Sequence, residues 1–207
     1  MSPLAALAAA WLARVAAGPK VRYCADGPPS RQSIFFANHQ SHLDFVVIWS
    51  VLPPEMRART RPVAAKEYWT ASAIRTYLSV EVFRAVLVDR ANPSLSALRG
   101  EMEVLLAALD AGDSLILFPE GTRGSGDRIA PFRGGLDFLA RERPDVDLVP
   151  ILLDNLERIM PKGEFLPVPQ LSTVIFGAPL HRRQDESKPD FLARARQAVI
   201  DLEPGHP

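Results

Sequence analysis

A histidine and an aspartate, His39 and Asp44, are the residues whose types and spacing most suggest chemistry. Residues 33–37 are apolar and typical of a short buried strand, and residues 45–49 are typical of the apolar side of a helix. Residues five apart on a regular helix diverge by about 140°, so the two side chains can meet only if His39 lies in the turn before the helix. The carboxylate would then fix the tautomer of the imidazole, and the other ring nitrogen would accept a proton as a general base.

Two alternatives for this stretch are a structural role and a metal site. A single histidine before a helix often caps that helix or lies in the core with its hydrogen bonds satisfied. His39, His42 and Asp44 could also be metal ligands. The other histidines and the single cysteine are scattered along the chain: His181, His206 and Cys24. Because they form no second ligand cluster, we favour the general base over the metal site and expect no bound metal; the structural alternative stays open at this point.

The glycine-rich segment 119–126 is a second stretch suited to chemistry, and it follows an apolar strand predicted at residues 114–118. Backbone N–H groups of such a loop, together with the guanidinium of Arg123, can hold a phosphate. The spacing of its glycines matches neither the dinucleotide-binding nor the P-loop pattern, so a nucleotide site is not predicted. A loop without a ligand is the alternative for this segment taken alone.

The composition bounds the class of protein. The chain has 207 residues, 47% of them hydrophobic, which is enough for one substantial core. Its formal net charge of zero argues against a generally basic nucleic-acid-binding protein. One cysteine excludes an intrachain disulfide and is compatible with a reducing cytoplasm.

Short apolar runs alternate with helical patterns along most of the chain. Beyond those already described, the predicted strands are residues 62–65, 86–88, 147–153 and 171–176, and the predicted helices are residues 68–78, 92–111 and 189–202, with another after residue 135. This alternation predicts an α/β fold with a mixed, largely parallel sheet flanked by helices. Pro150 lies inside one predicted strand, which predicts an edge position or a bulge there.

The first residues predict a short N-terminal amphipathic helix. Residues 4–17 are apolar except for Arg14, too short to span a membrane, and without the basic start of a secretory signal. The large side chains fall on one helical stripe: Leu4, Leu7, Trp11 and Val15. Such a helix could lie in a membrane interface or pack on the core of the protein. We predict a membrane-associating helix at residues 1–22 and a main domain at residues 23–207.

A basic cluster follows Pro53 and Pro54, where the helix after Asp44 is expected to end. It consists of Arg57, Arg59 and Arg61. We expect these arginines in a loop, where they either are solvated or meet anionic lipid headgroups.

Four segments together resemble the glycerolipid acyltransferase family, most closely its bacterial lysophosphatidate (1-acylglycerol-3-phosphate) acyltransferases. The matching blocks, in order, are Asn38-His39-Gln40-Ser41-His42-Leu43-Asp44, Val86-Leu87-Val88-Asp89-Arg90, Phe118-Pro119-Glu120-Gly121-Thr122-Arg123 and Val149-Pro150-Ile151. The resemblance spans roughly residues 30 to 155. Its first and third blocks are specific as a pair, whereas either alone would be weak.

The resemblance implies a role for each matching residue. His39 would take the proton from the hydroxyl of a lysophospholipid, and Asp44 would orient His39. The residues implied in binding substrate are Lys66, Arg90, Glu120, Gly121, Thr122, Arg123, Arg133, Val149 and Pro150. Among these, Arg90 and Arg123 would hold the acceptor phosphate, and Val149 with Pro150 would support the acyl or acceptor pocket.

The resemblance also implies the reaction, the partners and the location. The enzyme would transfer a fatty acyl chain from acyl-CoA or an acyl carrier protein to the free hydroxyl of a lysophospholipid, without a cofactor. The expected acceptor is 1-acylglycerol-3-phosphate, which gives phosphatidic acid, and another lysolipid acceptor is the alternative. It would work at the cytoplasmic face of the cell membrane, on an anionic surface, without spanning it. Competing hypotheses are a phospholipid transacylase or phospholipase with the same His–Asp pair, a noncatalytic membrane-binding module, and a metal hydrolase. Acyl chain length, donor and acceptor headgroup stay open.

Overall fold

The structure, a computed structural model, describes residues 3–25, 27–41, 43–89, 95–124, 128–154 and 172–203. Within these residues, seven strands form one sheet. The strands are β1 (Lys20–Tyr23), β2 (Ser33–Ala37), β3 (Thr60–Ala65), β4 (Val86–Val88), β5 (Ser114–Leu117), β6 (Asp147–Asp154) and β7 (Thr173–Phe176). Their order is β1-β7-β6-β2-β5-β3-β4, and all neighbours are parallel except β6 and β7. The predicted mixed, largely parallel sheet is confirmed.

Helices cover both faces of the sheet. In the described residues they are α1 (Pro3–Ala17), α2 (Asp44–Val51), α3 (Pro54–Ala58), α4 (Lys66–Trp69), α5 (Ala73–Tyr77), α6 (Leu95–Asp110), α7 (Gly135–Glu142) and α8 (Lys188–Ile200). Successive β2 residues alternate between two cores: Phe35 joins the core under α1 and α2, and Phe36 joins the core under α6, α7 and α8. Every residue of β2 is buried, as expected for a central strand with helices on both faces.

The predicted helix over residues 68–78 is wrong as one continuous element. Trp69 turns into the core at the end of α4, and Ser72 starts α5 by accepting a hydrogen bond from the backbone of Arg75. A π-helical segment, Leu78–Val82, follows α5 directly. A serine that can cap a new helix favours such a break. Ile74 is therefore 74% exposed rather than buried on an apolar helix face.

Pro150 lies in the interior of the sheet, so the edge alternative is wrong and the bulge alternative describes it. β6 has β2 on one side and β7 on the other. Ile151 pairs with Phe176, and Leu148 pairs with Leu180. Between these two pairs β6 advances by three residues and the neighbouring segment by four, so the neighbouring segment carries one extra residue, as in a β-bulge. Proline cannot donate to the ladder, and the extra residue of a bulge removes the need for that donor.

Two of the three arginines predicted in a loop lie in regular elements instead. Arg57 lies in α3, is 8% exposed and donates to the carbonyl of Ser50. Arg61 lies in β3 and pairs with Asp113 at 3.6 Å. Of the three, Arg59 is the exposed one. The prediction of a loop is therefore wrong for Arg57 and Arg61, because both lie in regular elements and have partners within the fold.

Helix α1 packs through its alanines rather than through its large side chains. Ala6, Ala10 and Ala17 are buried against the core that contains α2, because small side chains let the two helices approach closely. The large side chains face outward: Leu4, Leu7, Trp11, Leu12 and Val15 are each between 57% and 79% exposed. In the described part of the chain, no helix is long and apolar enough to cross a membrane. The domain boundary predicted after residue 22 falls inside β1.

Candidate active site

His39 and Asp44 are in contact at the turn that connects β2 to α2. β2 ends at Ala37, and Asp44 is the first residue of α2. His39 Nδ1 lies 2.8 Å from Asp44 Oδ2, so the histidine occupies the turn before the helix, as its spacing requires. The imidazole side chain is 11% exposed and the carboxylate is fully buried. A carboxylate at Nδ1 places the proton on that nitrogen and leaves Nε2 as the acceptor.

The carboxylate of Asp44 also organises the loop around the histidine. Its Oδ2 atom accepts hydrogen bonds from the backbone N–H groups of Gln40, at 2.6 Å, and Ser41, at 2.9 Å. Its position at the start of α2 adds the positive end of the helix dipole. These contacts hold the carboxylate beside the ring, where its negative charge can stabilise an imidazolium.

The ring of His39 is held against Phe118 at the end of β5. The two rings stack with centroids 4.3 Å apart and planes 18° from parallel. This contact and the bond to Asp44 together fix the direction of the imidazole. The ring opens on a cleft of about 340 Å³. The cleft is lined by His39, Gln40, Phe45, Val63, Ala64, Ala65, Tyr68, Trp69, Phe118, Thr122, Arg123 and Gly124.

The cleft combines an apolar wall with a polar rim. Phe45 and Trp69 pack on each other, with centroids 5.1 Å apart, and form part of the wall. Thr122 and Arg123 come from the glycine-rich loop and are both exposed. An apolar chain and an anionic group could therefore be accommodated on either side of His39.

Glu120 ties the glycine-rich loop to the histidine loop. Its carboxylate is buried and accepts from the backbone N–H of His39, at 2.7 Å, and of Ala130, at 2.8 Å. In return, the N–H of Gly124 donates to the carbonyl of His39 at 2.9 Å. Glu120 does not line the cleft, so its carboxylate positions backbone rather than facing a ligand there. This clamp was missed from the sequence, because its partners are backbone groups distant along the chain.

Gly121 makes the turn that exposes Thr122 and Arg123. Its φ of +75° is readily adopted only by glycine, and its N–H donates to the carbonyl of Phe118 at 3.0 Å. A Cβ on Gly121 would lie 2.5 Å from Nε of Arg133, so the guanidinium of Arg133 lies directly over this turn. Arg133 is exposed but does not line the cleft.

Of the other predicted binding residues that the structure describes, Lys66, Val149 and Pro150 do not line the cleft. Lys66 is exposed at the start of α4, and the cleft is lined by its neighbours rather than by Lys66. Arg90 and His42 fall outside the described residues. Val149 and Pro150 are buried in β6, and Val149 borders a separate cavity of about 290 Å³.

The link between β6 and the site runs through Asn38 instead. Ala37 pairs with Ile151, so Val149 and Pro150 lie short of the strand ends at which the cleft opens. Asn38 exchanges two hydrogen bonds with the backbone of Leu153, at 2.9 and 2.8 Å. This buried side chain anchors the start of the histidine loop to β6.

The described residues contain no group of three or more histidine, cysteine, aspartate or glutamate side chains that could hold a metal ion. Asp44 Oδ2 contacts His39 and accepts from the backbone N–H groups of Gln40 and Ser41. The arrangement is suited to proton transfer at Nε2 of His39 beside a cleft of mixed polarity.

Comparison with known proteins points to one family. Residues 20–154 match the family model described as Acyltransferase. A 1-acyl-sn-glycerol-3-phosphate acyltransferase of Limnanthes alba is 32% identical over 153 residues, which is 73% of this chain and 51% of that protein. Human 1-acyl-sn-glycerol-3-phosphate acyltransferase alpha is 32% identical over 139 residues, 66% of this chain and 46% of that protein. The chain thus spans about half the length of the curated relatives it matches.

A solved structure has the same fold. The crystal structure of the 1-acyl-sn-glycerophosphate (LPA) acyltransferase PlsC from Thermotoga maritima aligns with a TM-score of 0.71 and 20% sequence identity. The alignment covers 99% of this chain and 80% of that chain. Because the family match covers more than half of the sequence and includes both loops of the site, this chain belongs to the acyltransferase family.

Proposed function

We propose that this protein transfers a fatty acyl chain from an acyl thioester to the free hydroxyl of a lysophospholipid, with 1-acylglycerol-3-phosphate as acceptor and phosphatidic acid as product. The observation that carries the proposal is the contact between His39 Nδ1 and Asp44 Oδ2, at the mouth of a cleft that has both an apolar wall and an arginine. The family match and the names of the relatives support the same reaction class.

In the proposed mechanism, Nε2 of His39 takes the proton of the acceptor hydroxyl. The oxygen attacks the thioester carbonyl carbon, the new C–O bond forms, and the tetrahedral intermediate collapses with cleavage of the C–S bond. The departing thiolate takes the proton back from the imidazolium. Asp44 stabilises the imidazolium during this cycle, as the carboxylate of a serine protease triad does. The nucleophile belongs to the substrate, so no serine or cysteine of the protein is required.

Product analysis tests the reaction class. Purified protein is incubated with a panel of lysophospholipids, with or without acyl-CoA or an acyl carrier protein thioester, and the lipids are analysed by mass spectrometry. We expect phosphatidic acid only when a thioester and 1-acylglycerol-3-phosphate are both present. Equal product without any thioester would support the alternative, a phospholipid transacylase. Release of free fatty acid in place of phosphatidic acid, abolished by a chelator, would indicate a metal hydrolase.

Arg123 is proposed to hold the acceptor phosphate, because it is exposed at the rim of the cleft on the turn set by Gly121. Arg123→Ala is expected to lower kcat/KM for a phosphate-bearing lysolipid by roughly ten- to hundredfold, mainly through KM, because a charge-assisted contact is worth about 1.5–3 kcal/mol. KM for the acyl donor should change much less. Arg123→Lys should retain more kcat/KM than Arg123→Ala but less than the unmodified protein, since lysine lacks the planar set of N–H donors of arginine.

The control for Arg123 is Arg141→Ala, which removes an exposed arginine from α7 and should leave kcat/KM unchanged. Arg90→Ala and the double variant should be measured as well, because Arg90 is predicted to share the phosphate. The informative acceptor is monoacylglycerol, which lacks the phosphate. Equal losses with both acceptors would assign Arg123 to the structure or the chemical step instead.

We also propose that the outward face of α1 rests in a membrane interface, at the cytoplasmic surface of the cell membrane, without crossing it. Leu7 and Trp11 are 57% and 63% exposed on this face. The π-helical segment packs next to α1 and exposes Val80, at 47%. The exposed apolar surface continues onto α5, which directly precedes the π-helical segment and exposes Ile74 and Tyr77. Because α5 follows α4, whose Tyr68 and Trp69 line the cleft, a membrane there would lie close to the site that needs its lipid.

Replacing Leu7 and Trp11 by serine tests the membrane contact. Full burial of one such side chain is worth about 1.5–3 kcal/mol, so even partial insertion of both predicts a loss of roughly tenfold or more in vesicle partitioning. Flotation with liposomes measures it. Val104→Ser on α6, an equally exposed apolar residue on the other face of the sheet, is the control and should float like the unmodified protein. Unchanged flotation of the Leu7/Trp11 variant would contradict the proposal.

A further inference from the structure

Two arginines converge on one carbonyl oxygen at the end of α2. Arg14 of α1 donates from Nε, at 2.8 Å, and from Nη2 to the oxygen of Ser50. Arg57 of α3 donates from Nη1 to the same oxygen at 3.2 Å. A helix C-terminus carries about half an elementary negative charge, which does not balance two full positive charges. The junction of α1, α2 and α3 therefore holds an excess of positive charge.

No carboxylate in the described part of the chain forms an ion pair with either arginine. Arg57 is 8% exposed, and its guanidinium lies 5.3 Å from the centre of the Trp49 ring. Burial, followed by the charge of Arg14, lowers the pKa of Arg57 below its ordinary value. Both effects disfavour the charged form, and an anion bound beside the two guanidinium groups would offset them.

The position of Arg14 indicates where the anion comes from. Arg14 lies on α1 at the border between the buried alanine face and the exposed apolar face. Leu7 and Trp11 precede it by about two turns and one turn on the same side of the helix. If that face enters a membrane, Trp11 sits at headgroup depth, and lipid phosphates are brought level with Arg14.

We propose that Arg14 and Arg57 form a binding site for the phosphate of an anionic membrane phospholipid, separate from the acceptor site at Arg123. Arginine suits this ligand, because its planar set of N–H donors matches phosphate oxygens and Ser50 uses only part of that set. The proposal rests on the membrane contact of α1 proposed above. The site would orient the protein so that its cleft faces the bilayer surface.

The test compares flotation of the full chain with vesicles of phosphatidylcholine alone and of phosphatidylcholine mixed with phosphatidylglycerol. We expect Arg14→Gln to lower binding to the mixed vesicles by roughly fivefold, the effect of one basic residue near an anionic surface, or by more. Its binding to phosphatidylcholine alone should be unchanged. Arg59→Gln, which removes the same charge from an exposed position close to Arg57, is the control and should have a smaller effect.

Each other outcome overturns a defined part of the proposal. An equal loss in Arg14→Gln and Arg59→Gln would reduce the site to general surface charge. Protection from thermal unfolding by inorganic phosphate that needs Arg14, without any vesicle discrimination, would assign the site to a soluble anion. Failure of the unmodified protein to float with either vesicle would overturn the membrane contact itself. Flotation that depends on Trp11 but not on Arg14 would overturn only the phosphate site.

Arg57 is buried, so circular dichroism is recorded for Arg57→Lys to establish that this variant folds before its flotation is compared.

Discussion

Replacing His39 by alanine is expected to lower kcat for acyl transfer by roughly 10²- to 10⁴-fold, the usual worth of general base catalysis. His39 is the imidazole that lines the cleft, and its Nδ1 is already engaged by Asp44. The fold should survive, because Asp44 keeps its two backbone donors and the clamp to Glu120 uses the main chain of residue 39. Steady-state kinetics and thermal unfolding of the same preparation measure both quantities.

His42→Ala provides the matched control, since His42 is the nearby histidine in the same sequence motif. It should retain most of its turnover. The opposite pattern, with near-full activity in His39→Ala and a large loss in His42→Ala, would show that the base is assigned to the wrong residue. A large loss of stability in His39→Ala would instead point to the structural role that a histidine before a helix often has.

The second large effect is expected for Asp44→Asn, which keeps the shape and removes the charge. An amide oxygen in place of Oδ2 can still accept from the loop backbone and from His39, but it no longer stabilises the imidazolium. In a serine protease triad the same change costs about 10⁴-fold in kcat, and we expect at least about 100-fold here. The buried amide nitrogen would lack a partner, at a cost of about 1–3 kcal/mol in the free energy of unfolding.

A buried carboxylate remote from the cleft separates the two effects. Asp137 is 3% exposed and pairs with Arg182 at 2.8 Å. Asp137→Asn should lower the free energy of unfolding and leave kcat close to that of the unmodified protein. If Asp44→Asn likewise lost only stability and kept its kcat within a few fold, Asp44 would be a structural residue of the loop.

Local patterns in the sequence were enough to predict most of the sheet and the contact at the site. The apolar run of β2 and the helical pattern after Asp44 are set by neighbouring residues, so the strand-to-helix turn could be inferred together with the meeting of His39 and Asp44. The glycine-rich turn was predictable for the same reason, since the φ of +75° at Gly121 is a local preference of glycine.

Features that depend on distant partners could not be predicted. The interior position of Pro150 depends on the pairing of β7 with the far side of β6, and its bulge depends on the register there; no local pattern predicts either. In the sequence Glu120 is a carboxylate in a predicted loop, and only the fold shows that it accepts from the backbone N–H groups of His39 and Ala130. For α1 the stripe of large residues was compatible with core packing or with a membrane interface, and only the fold shows that the alanines are the buried face.

The hydrogen bonds between the histidine loop and the glycine-rich loop would restrict which hydroxyl of the acceptor can reach the base. Glu120 and Gly124 join the backbone of His39 to the loop that carries Arg123. If His39 is the base and Arg123 holds the phosphate, as proposed, these hydrogen bonds fix the spacing between the two loops that carry them. With the phosphate held at one end, only a hydroxyl at the matching number of bonds from it reaches Nε2. The position of the reacting hydroxyl on the glycerol backbone would then depend on the hydrogen bonds that join the two loops, as well as on the His39 side chain that takes the proton.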